Sequence, residues 1–276
     1  MISALFRRIG WIIRRALGLR PRSAPEELWR LRYLRRAKPA VPGAVVWAGA
    51  PLYYAHGPAV HDQLNEIIVR GVYDFVSDSP SPRILDCGAH VGVGILRWRQ
   101  LFPNADITAF EADPSIASRL QRNLAARGDT QTKVIAAAAW VADGTVKFCP
   151  TGTDNGHISE IAKDSVPARN LVSYCAEPVD LLKLDIEGAE ERVLLHLHET
   201  GALPAIRRLV CEWHEWTAQA PSLHAILARL VSAGFVYRLA GAGCLGNDPS
   251  PAFPNLGWPG NHIMLYAWQP SASRHP

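Results

Sequence analysis

Long apolar runs and clustered cysteines are what this chain lacks. None of its 276 residues lies in a run approaching the roughly 18 apolar residues of a membrane-spanning helix. The five cysteines are odd in number and far apart, and no C-x-x-C pair or Cys/His cluster indicates structural zinc. Because three of them lie in or beside apolar, strand-like runs, we expect buried free thiols and a reducing, cytoplasmic compartment. The length predicts one large core with extensions.

Basic charge is missing from the body of the chain. Residues 1–40 contain ten Arg, one Lys and two Glu, whereas the other 236 residues contain 18 basic and 23 acidic side chains. A nucleic-acid-binding protein usually spreads a basic face over its folded domain. We therefore expect no nucleic-acid partner.

The first 20 residues predict a basic amphipathic helix. Its uncharged run is too short for a signal peptide, and no cleavage site follows. Such a helix suits an anionic membrane interface, which predicts docking on the inner face of the membrane. The alternative is packing on the protein's own domain or on a second subunit, and the oligomeric state stays open. At about 100° per residue, apolar side chains fall on one face and arginines on the other: Ile2, Leu5, Phe6, Ile9, Ile12, Ile13 and Ala16 against Arg7, Arg8, Arg14 and Arg15.

The rest of the chain predicts an α/β fold. We divide it into a leader (1–40), an N-terminal cap segment (41–82), a main domain (83–268) and a tail (269–276). From Arg83 strand and helix patterns alternate, which is typical of a doubly wound parallel sheet with helices on both faces. The predicted strands are 83–86, 106–111, 132–139, 180–185, 206–212, 235–239 and 261–268, with a small extra strand at 144–149. The predicted helices are 25–36, 60–75, 92–102, 114–127, 188–199 and 221–233.

A glycine turn follows the first strand of the main domain. Its order is acidic-x-Gly-x-x-x-Gly, with Asp86, Gly88 and Gly92, and not the G-x-G-x-x-G of dinucleotide-binding folds. A carboxylate at the strand tip repels a diphosphate but accepts an ammonium group. S-adenosylmethionine has an ammonium and a sulfonium and no phosphate, so this turn favours it. Glu111 closes the second strand 25 residues later, where an acidic side chain accepts ribose hydroxyls.

Further polar residues lie at the ends of the fourth and fifth strands. Period-two alternation places Lys183 with Asp185, and Glu212 with His214, on common sides. We expect Asp185 to be functional, and His214 is suited to accept a proton. Asp185, Glu212 and His214 are equally suited to a divalent cation such as Mg²⁺, and the sequence leaves base and metal open. Simple helix-dipole complementation explains three nearby glutamates: Glu187, Glu190 and Glu191.

The segments ILDCGAHVGV, AFEADP, LLKLDIEGAE and LVCEWH resemble the FkbM-type S-adenosylmethionine-dependent methyltransferases, over about residues 60–268. The resemblance implies a seven-stranded, Rossmann-like sheet with an antiparallel last strand. It also implies methyl transfer to oxygen, commonly a hydroxyl of a sugar or a polyketide-like metabolite. By position, Asp86, Gly88 and Gly92 hold the methionine end, Glu111 holds the ribose, and Asp185 faces the reacting centre. This chain departs from the family in having His90 where Asn is usual.

We therefore predict an O-methyltransferase that acts on a saccharide, glycolipid or lipid-linked sugar hydroxyl. The alternatives are a non-catalytic nucleoside-binding module and a nicotinamide-dependent oxidoreductase. The predicted catalytic residues are Lys183, Asp185 and His214. The predicted cofactor contacts are Asp86, Gly88, His90, Gly92, Glu111, Ala112, Ala139 and Asp185. The predicted acceptor contacts are Asn155 and His157, in the polar loop 151–157, with Glu187 and Glu212.

Overall fold

The computed structural model describes residues 23–37, 41–151, 156–214, 223–241, 245–246, 258–259 and 262–270. The predicted leader helix at 1–20 lies outside these residues. Within them, no helix is long and apolar enough to cross a membrane. Of the cysteines, Cys87, Cys175 and Cys211 are buried free thiols and Cys149 is a partly buried one.

The strands and helices are numbered in chain order. The strands are β1 (Gly43–Trp47), β2 (Ala50–Tyr54), β3 (Arg83–Cys87), β4 (Asp106–Phe110), β5 (Lys133–Ile135), β6 (Ala138–Trp140), β7 (Gly144–Cys149), β8 (His157–Ile158), β9 (Asp164–Asn170), β10 (Leu181–Leu184), β11 (Arg208–His214), β12 (Val236–Gly241), β13 (Leu245–Gly246), β14 (Trp258–Pro259) and β15 (His262–Trp268). The helices are α1 (Ala24–Arg30), α2 (Gly57–Gln63), α3 (Val93–Leu101), α4 (Pro114–Ala125), α5 (Glu190–Glu199) and α6 (Leu223–Ser232). A π-helix (Leu64–Val69) continues α2, and 3₁₀ turns span Arg32–Arg36, Leu171–Tyr174 and Leu203–Ala205.

A seven-stranded sheet forms the centre of the fold, in the order β5-β4-β3-β10-β11-β15-β12. The strands from β5 to β11 run parallel, and β15 is antiparallel to both of its neighbours. The predicted seven-stranded sheet with an antiparallel last strand is therefore confirmed. The strand order reverses between β3 and β10, and ligands of open α/β sheets bind at the carboxyl ends of strands at such a point.

Successive side chains of the central strands pack into two different cores. Ile84 and Leu181 face a core shared with α3, α4 and the cap segment, whereas Leu85 and Leu182 face a core shared with α5 and α6. Because β3 and β10 are covered on both faces, six of their nine residues are apolar. The buried polar side chains of Asp86 and Lys183 in these strands therefore need polar partners.

The predicted third strand, 132–139, is wrong as a single strand. Its first half is β5 of the main sheet, and its second half is β6 of a separate four-stranded sheet in the order β6-β9-β7-β8. The chain turns between the two halves, where the N–H of Ala137 donates to the carbonyl of Ile135 at 2.9 Å. Of the second sheet, β7 was predicted as a strand of its own and β6 as part of 132–139, whereas β8 and β9 were not predicted. The signal for β9 is its period-two pattern, in which Val166 and Ala168 are buried.

The predicted helix 60–75 is wrong at both ends. The helix begins at Gly57 and ends at Val69, because Gly71 takes a left-handed conformation (φ 70°) that an α-helix cannot continue. The following bend directs Tyr73 inward, where only 6% of its surface is exposed. Similarly, the predicted helix 25–36 ends at Arg30 and continues as a 3₁₀ turn.

Hydrogen bonds from three side chains of the main domain help to hold the cap segment in place. The buried Asn123 amide of α4 bonds both backbone groups of Tyr53, at 2.7 and 2.9 Å. Arg127 donates to the carbonyl of Pro51 at 2.6 Å, and the indole N–H of Trp98 donates to the carbonyl of Tyr73 at 3.1 Å. Because these bonds satisfy buried groups on both sides, the cap is fixed over one face of the sheet.

Candidate active site

The glycine turn after β3 lies directly against the end of β10. Gly88 has a φ of 82°, and the N–H groups of Gly88 and Ala89 donate to the carbonyl of Phe110 at 3.0 and 2.9 Å. A Cβ on Gly88 would overlap the carbonyl oxygen of Asp185. The turn therefore requires glycine for two reasons, its left-handed backbone and this close approach. Gly92, with a φ of 91°, is the N-terminal cap of α3.

Glu111 organises this turn from the end of the second strand. Its buried carboxylate accepts the N–H of His90 at 2.8 Å and the N–H of Asp113 at 2.9 Å. The backbone of His90 has a left-handed φ of 49°, and its ring Nδ1 forms a hydrogen bond with Gln63 Oε1 at 2.9 Å. Burial raises the pKa of Glu111 to about 7, against the opposing effect of the two backbone hydrogen bonds. Glu111 thus supports His90 in its left-handed conformation.

Lys183 is a buried cation between the two strand ends. Its Nζ donates to the carbonyl of Gly88 at 2.6 Å and lies 3.2 Å from Asp185 Oδ2 and 3.5 Å from Asp86 Oδ1. Burial alone would lower the pKa of Lys183, but the two carboxylates outweigh it and raise the pKa. The ammonium thus joins the glycine turn to the end of β10, and the predicted pairing of Lys183 with Asp185 on one side is confirmed.

One carboxylate oxygen of Asp86 is buried at the base of the turn without a hydrogen bond in the part of the chain that the structure describes. Its Oδ2 is buried and has no hydrogen-bond partner among the described residues, whereas Oδ1 faces Lys183. Burial raises the pKa of Asp86, with Lys183 opposing that shift. Because an unsatisfied buried carboxylate oxygen is costly, this atom fits the ammonium group of a bound amino-acid moiety.

Asp185 and Glu212 share a partner that the sequence analysis missed. The hydroxyl of Tyr73, from the cap segment, lies 3.3 Å from Asp185 Oδ2 and 3.5 Å from Glu212 Oε2. Burial would raise the pKa of Asp185, but Lys183 and His214 lower it. In contrast, burial and the charge of Asp185 raise the pKa of Glu212 to about 8. The pKa values of the two neighbouring carboxyl groups are therefore shifted in opposite directions, that of Asp185 downward and that of Glu212 upward.

His214 is surrounded by carboxylates. Its Nδ1 lies 3.1 Å from Glu190 Oε1, and its Nε2 lies 3.5 Å from Glu187 Oε2 and 3.9 Å from Glu212 Oε1. Although burial favours the neutral ring, the hydrogen bond with Glu190 and the surrounding charges raise the pKa of His214 to about 10. Near neutral pH the ring therefore carries two N–H groups and a positive charge.

Glu190 does more than complement a helix dipole. It is 1% exposed, and its carboxylate accepts the N–H of Ile186 at 2.9 Å and the N–H of Gly188 at 3.0 Å. These bonds shape the loop after β10, in which Glu187 adopts a left-handed φ of 55°. The E-G-x-E spacing is the sequence signal that would have identified this arrangement.

Asp185, Glu212 and His214 offer three ligand atoms within 4.8 Å of one another, as the metal alternative requires. The ammonium of Lys183 lies 3.2 Å from Asp185 Oδ2, so a cation bound to Asp185 would lie close to a positive charge. A bound Mg²⁺ stays a prediction.

The remaining predicted residues lie on neighbouring elements. The predicted strand 132–139 places Ala139 at the end of the third strand of the main sheet. In the structure Ala139 belongs to β6 of the second sheet instead. Ala112 packs against the small core of that second sheet. His157 is half-buried in β8, paired with Cys149, and Asn155 lies outside the described residues. Their predicted ligand contacts stay predictions.

The sheet order, the glycine turn at its switch point and the unsatisfied oxygen of Asp86 fit the binding of S-adenosylmethionine. The family that the chain matches identifies the protein as an S-adenosylmethionine-dependent methyltransferase. The family described as the methyltransferase FkbM domain matches residues 86–237, more than half of the chain, and the chain belongs to that family. This assignment resolves the choice against the nicotinamide-dependent alternative.

Two curated proteins are similar to this chain. The 2-O-methyltransferase NoeI of Sinorhizobium fredii (strain NBRC 101917 / NGR234) is 29% identical over 183 residues, which are 56% of this chain and 73% of that protein. The methyltransferase sdnD of Sordaria araneosa is 26% identical over 203 residues, 59% of this chain and 78% of that protein.

Two solved structures align with this chain, and the first of them supports the fold. A SAM-dependent methyltransferase from Agrobacterium tumefaciens aligns with a TM-score of 0.50 and 13% identity, over 85% of this chain and 71% of that one. The methyltransferase FkbM from Methylobacillus flagellatus KT aligns with a TM-score of 0.48 and 16% identity, over 77% of this chain. The chain spans about half of that second protein, 54% of its length.

Replacing Gly88 with alanine tests the contact between the turn and β10. Gly128 also has a left-handed φ, 70°, but a Cβ there meets no atom within 4 Å. Gly128→Ala should cost about 1–2 kcal/mol of unfolding free energy, whereas Gly88→Ala should cost roughly 2–5 kcal/mol because overlap is added to strain. Urea denaturation measures both. Equal losses would show that Asp185 does not constrain the turn.

Proposed function

We propose that this enzyme transfers the methyl group to oxygen, on a hydroxyl of a saccharide, a glycolipid or a related metabolite. The observation that carries this proposal is the partly buried group of Lys183, Asp185, Glu212 and His214 next to the cofactor turn. It offers the two carboxylates as hydrogen-bond acceptors to a hydroxyl-bearing ligand, beside two largely covered basic side chains. The similarity to a protein named as a 2-O-methyltransferase supports oxygen as the methyl acceptor.

The cofactor is assigned to the carboxyl ends of β3 and β4. Asp86 Oδ2 receives the ammonium group, and Gly88, His90 and Gly92 form the turn beside it. Glu111 receives the ribose hydroxyls, since each carboxylate oxygen can accept a second hydrogen bond beside the backbone N–H that it already holds. When bound, S-adenosylmethionine supplies an electrophilic methyl group on its sulfonium. Ala112 and Ala139 complete the predicted contacts.

The acceptor is assigned to the carboxyl ends of β10 and β11. The side chains of Asp185 and Glu212 are 24% and 20% exposed, so they can reach a ligand, whereas Lys183 and His214 are nearly covered. We therefore assign Lys183 and His214 to holding charge and geometry. Glu187, Asn155 and His157 are the further acceptor contacts that we propose. An acceptor with several hydroxyls, such as a sugar, matches neighbouring carboxylates that accept hydrogen bonds.

A membrane-surface location is the second part of the proposal. Leu28, Leu31 and Leu34 are buried, and the outward side of the same segment is aromatic and basic. Tryptophan, tyrosine and arginine together suit an anionic membrane interface. This surface continues the basic character of the leader, which supports docking on the cytoplasmic face. The exposed residues are Trp29, Arg30, Arg32, Tyr33, Arg35 and Arg36.

Asp185→Asn should reduce turnover by about 100-fold or more while S-adenosylhomocysteine still binds. The variant keeps the size of the side chain but removes the charge that faces the reacting centre. Turnover is measured by transfer of a tritiated methyl group to a panel of methyl glycosides, and binding by calorimetry. Asp164→Asn, on an exposed position of β9, is the matched control. Unchanged turnover in Asp185→Asn would remove Asp185 from the mechanism.

Removing residues 1–22 should weaken binding to anionic vesicles at least tenfold, because the leader contributes six arginines at about 1 kcal/mol each near such a surface. Flotation with phosphatidylcholine vesicles, with and without phosphatidylglycerol, compares the full chain with one that starts at Ser23. This shorter chain keeps the buried side chains of Leu28, Leu31 and Leu34, which a start near Pro42 would remove. Equal partitioning of both chains would contradict membrane docking through the leader.

A further inference from the structure

The bend that follows the π-helix of the cap is held by one helix of the main domain. The indole N–H of Trp98, in α3, donates to the carbonyl of Tyr73 at 3.1 Å. Two residues further along the bend, the ring of Phe75 lies 4.9 Å from that of Phe102, the residue at which α3 ends. Because α3 begins at the glycine turn, this helix connects the position assigned to the cofactor with the bend of the cap.

Asp74, between these two aromatic residues, forms a bidentate ion pair with α3. Nε of Arg97 donates to Asp74 Oδ1 at 2.7 Å, and Nη2 donates to Oδ2. A bidentate pair fixes the orientation of both groups, which a single contact does not. The N–H of Asp74 also donates to the carbonyl of Gly71 at 2.9 Å, and a Cβ on Gly71 would lie 2.6 Å from Asp74 Oδ2. The carboxylate therefore lies over the bend and ties it to α3.

Tyr73 is the residue of this bend that reaches the site. Its hydroxyl lies 3.3 Å from Asp185 Oδ2 and 3.5 Å from Glu212 Oε2, and its ring lies 5.5 Å from Nζ of Lys183. Since only 6% of its surface is exposed, Tyr73 is too covered to bind an acceptor itself. It can therefore influence methyl transfer only through the groups that it touches.

We propose that Asp74, held by Arg97, is a positioning residue for methyl transfer, which keeps the Tyr73 hydroxyl at the carboxylates assigned to the acceptor. The inference rests on the proposed function, in which Asp185 and Glu212 contact a hydroxyl-bearing acceptor. It adds two residues that lie outside the site. It also makes α3 the element that sets the position of the acceptor carboxylates relative to the cofactor turn.

A second ion pair on the same helix provides the comparison. Two residues after Arg97, the guanidinium of Arg99 donates to both carboxylate oxygens of Asp129, at 2.9 and 3.4 Å. Asp129 lies between α4 and β5, so this pair ties α3 to that loop and not to the cap. If Asp74 served only to stabilise the fold, breaking either pair should have the same kinetic consequence.

Asp74→Asn should lower kcat/KM about tenfold for the methyl glycoside that the wild type methylates best, with the Kd of S-adenosylhomocysteine unchanged. Arg97→Gln should have the same effect, because it removes the other half of the pair. Asp129→Asn is the matched control and should leave kcat/KM unchanged, and thermal unfolding establishes that each variant is folded. No loss in Asp74→Asn, or an equal loss in Asp129→Asn, would overturn the proposal.

Combined variants test the route through Tyr73. Tyr73→Phe keeps the ring beside that of Trp98 but removes the hydroxyl, and it should itself lower kcat/KM about tenfold. In that background Asp74→Asn should have no further effect, because the group that Asp74 positions is gone. Losses that add in the double variant would show that Asp74 does not act through the Tyr73 hydroxyl, and the proposal would be wrong.

An acceptor-independent measurement accompanies the kinetics. In protein labelled with ¹⁵N in the tryptophan indoles, hydrogen exchange of the Trp98 N–H reports its bond to the Tyr73 carbonyl. This exchange should be about tenfold faster in Asp74→Asn and unchanged in Asp129→Asn. Unchanged exchange in Asp74→Asn would contradict the proposal. Failure of the proposed function is distinct, because there the wild type would methylate no hydroxyl in the panel, whereas the exchange still shows whether Asp74 holds the bend.

Discussion

The buried ammonium of Lys183 is the interaction on which the site depends. It contacts the carbonyl of Gly88 in the cofactor turn and the carboxylates of Asp86 and Asp185 at the ends of two neighbouring strands. Removing one partner from such a buried group leaves an uncompensated charge, at a cost of about 3–5 kcal/mol. Because one cation serves all these groups, the position assigned to the cofactor and the carboxylate assigned to the acceptor are held in a fixed relation.

The same cation distinguishes the carboxylates from one another. Asp185 lies next to Lys183 and holds its proton weakly, whereas Glu212 lies farther away and holds its proton more strongly. His214 Nδ1 lies 3.1 Å from Glu190 Oε1, which fixes the ring beside these carboxylates. The cap segment completes the arrangement, since the Tyr73 hydroxyl contacts both Asp185 and Glu212. The site is therefore built between the cap and the sheet.

The strand–helix alternation from Arg83 was sufficient to predict most strands of the main sheet and the acidic side chains at their ends, because side-chain period is a local property. The antiparallel direction of β15 was implied only by the resemblance to the FkbM-type methyltransferases. Two kinds of feature could not be predicted in this way. The split of 132–139 between two sheets depends on which strands it pairs with, and alternation within one segment does not specify partners. The hydroxyl of Tyr73 contacts Asp185, a residue 112 positions later in the sequence. This contact depends on the left-handed backbone of Gly71, which ends the helix and turns the chain inward. The proton affinities of Glu212 and His214 likewise depend on neighbours brought together by folding.

Binding of S-adenosylhomocysteine tests the central claim most directly. Calorimetric titration of the full chain, with and without EDTA, should show saturable binding that does not depend on EDTA. Glu111→Ala should lose that binding, because Glu111 both supports the turn at His90 and is assigned to the ribose; thermal unfolding of the variant establishes that it is folded. If the wild-type chain binds no S-adenosylhomocysteine either with or without EDTA, the account is contradicted.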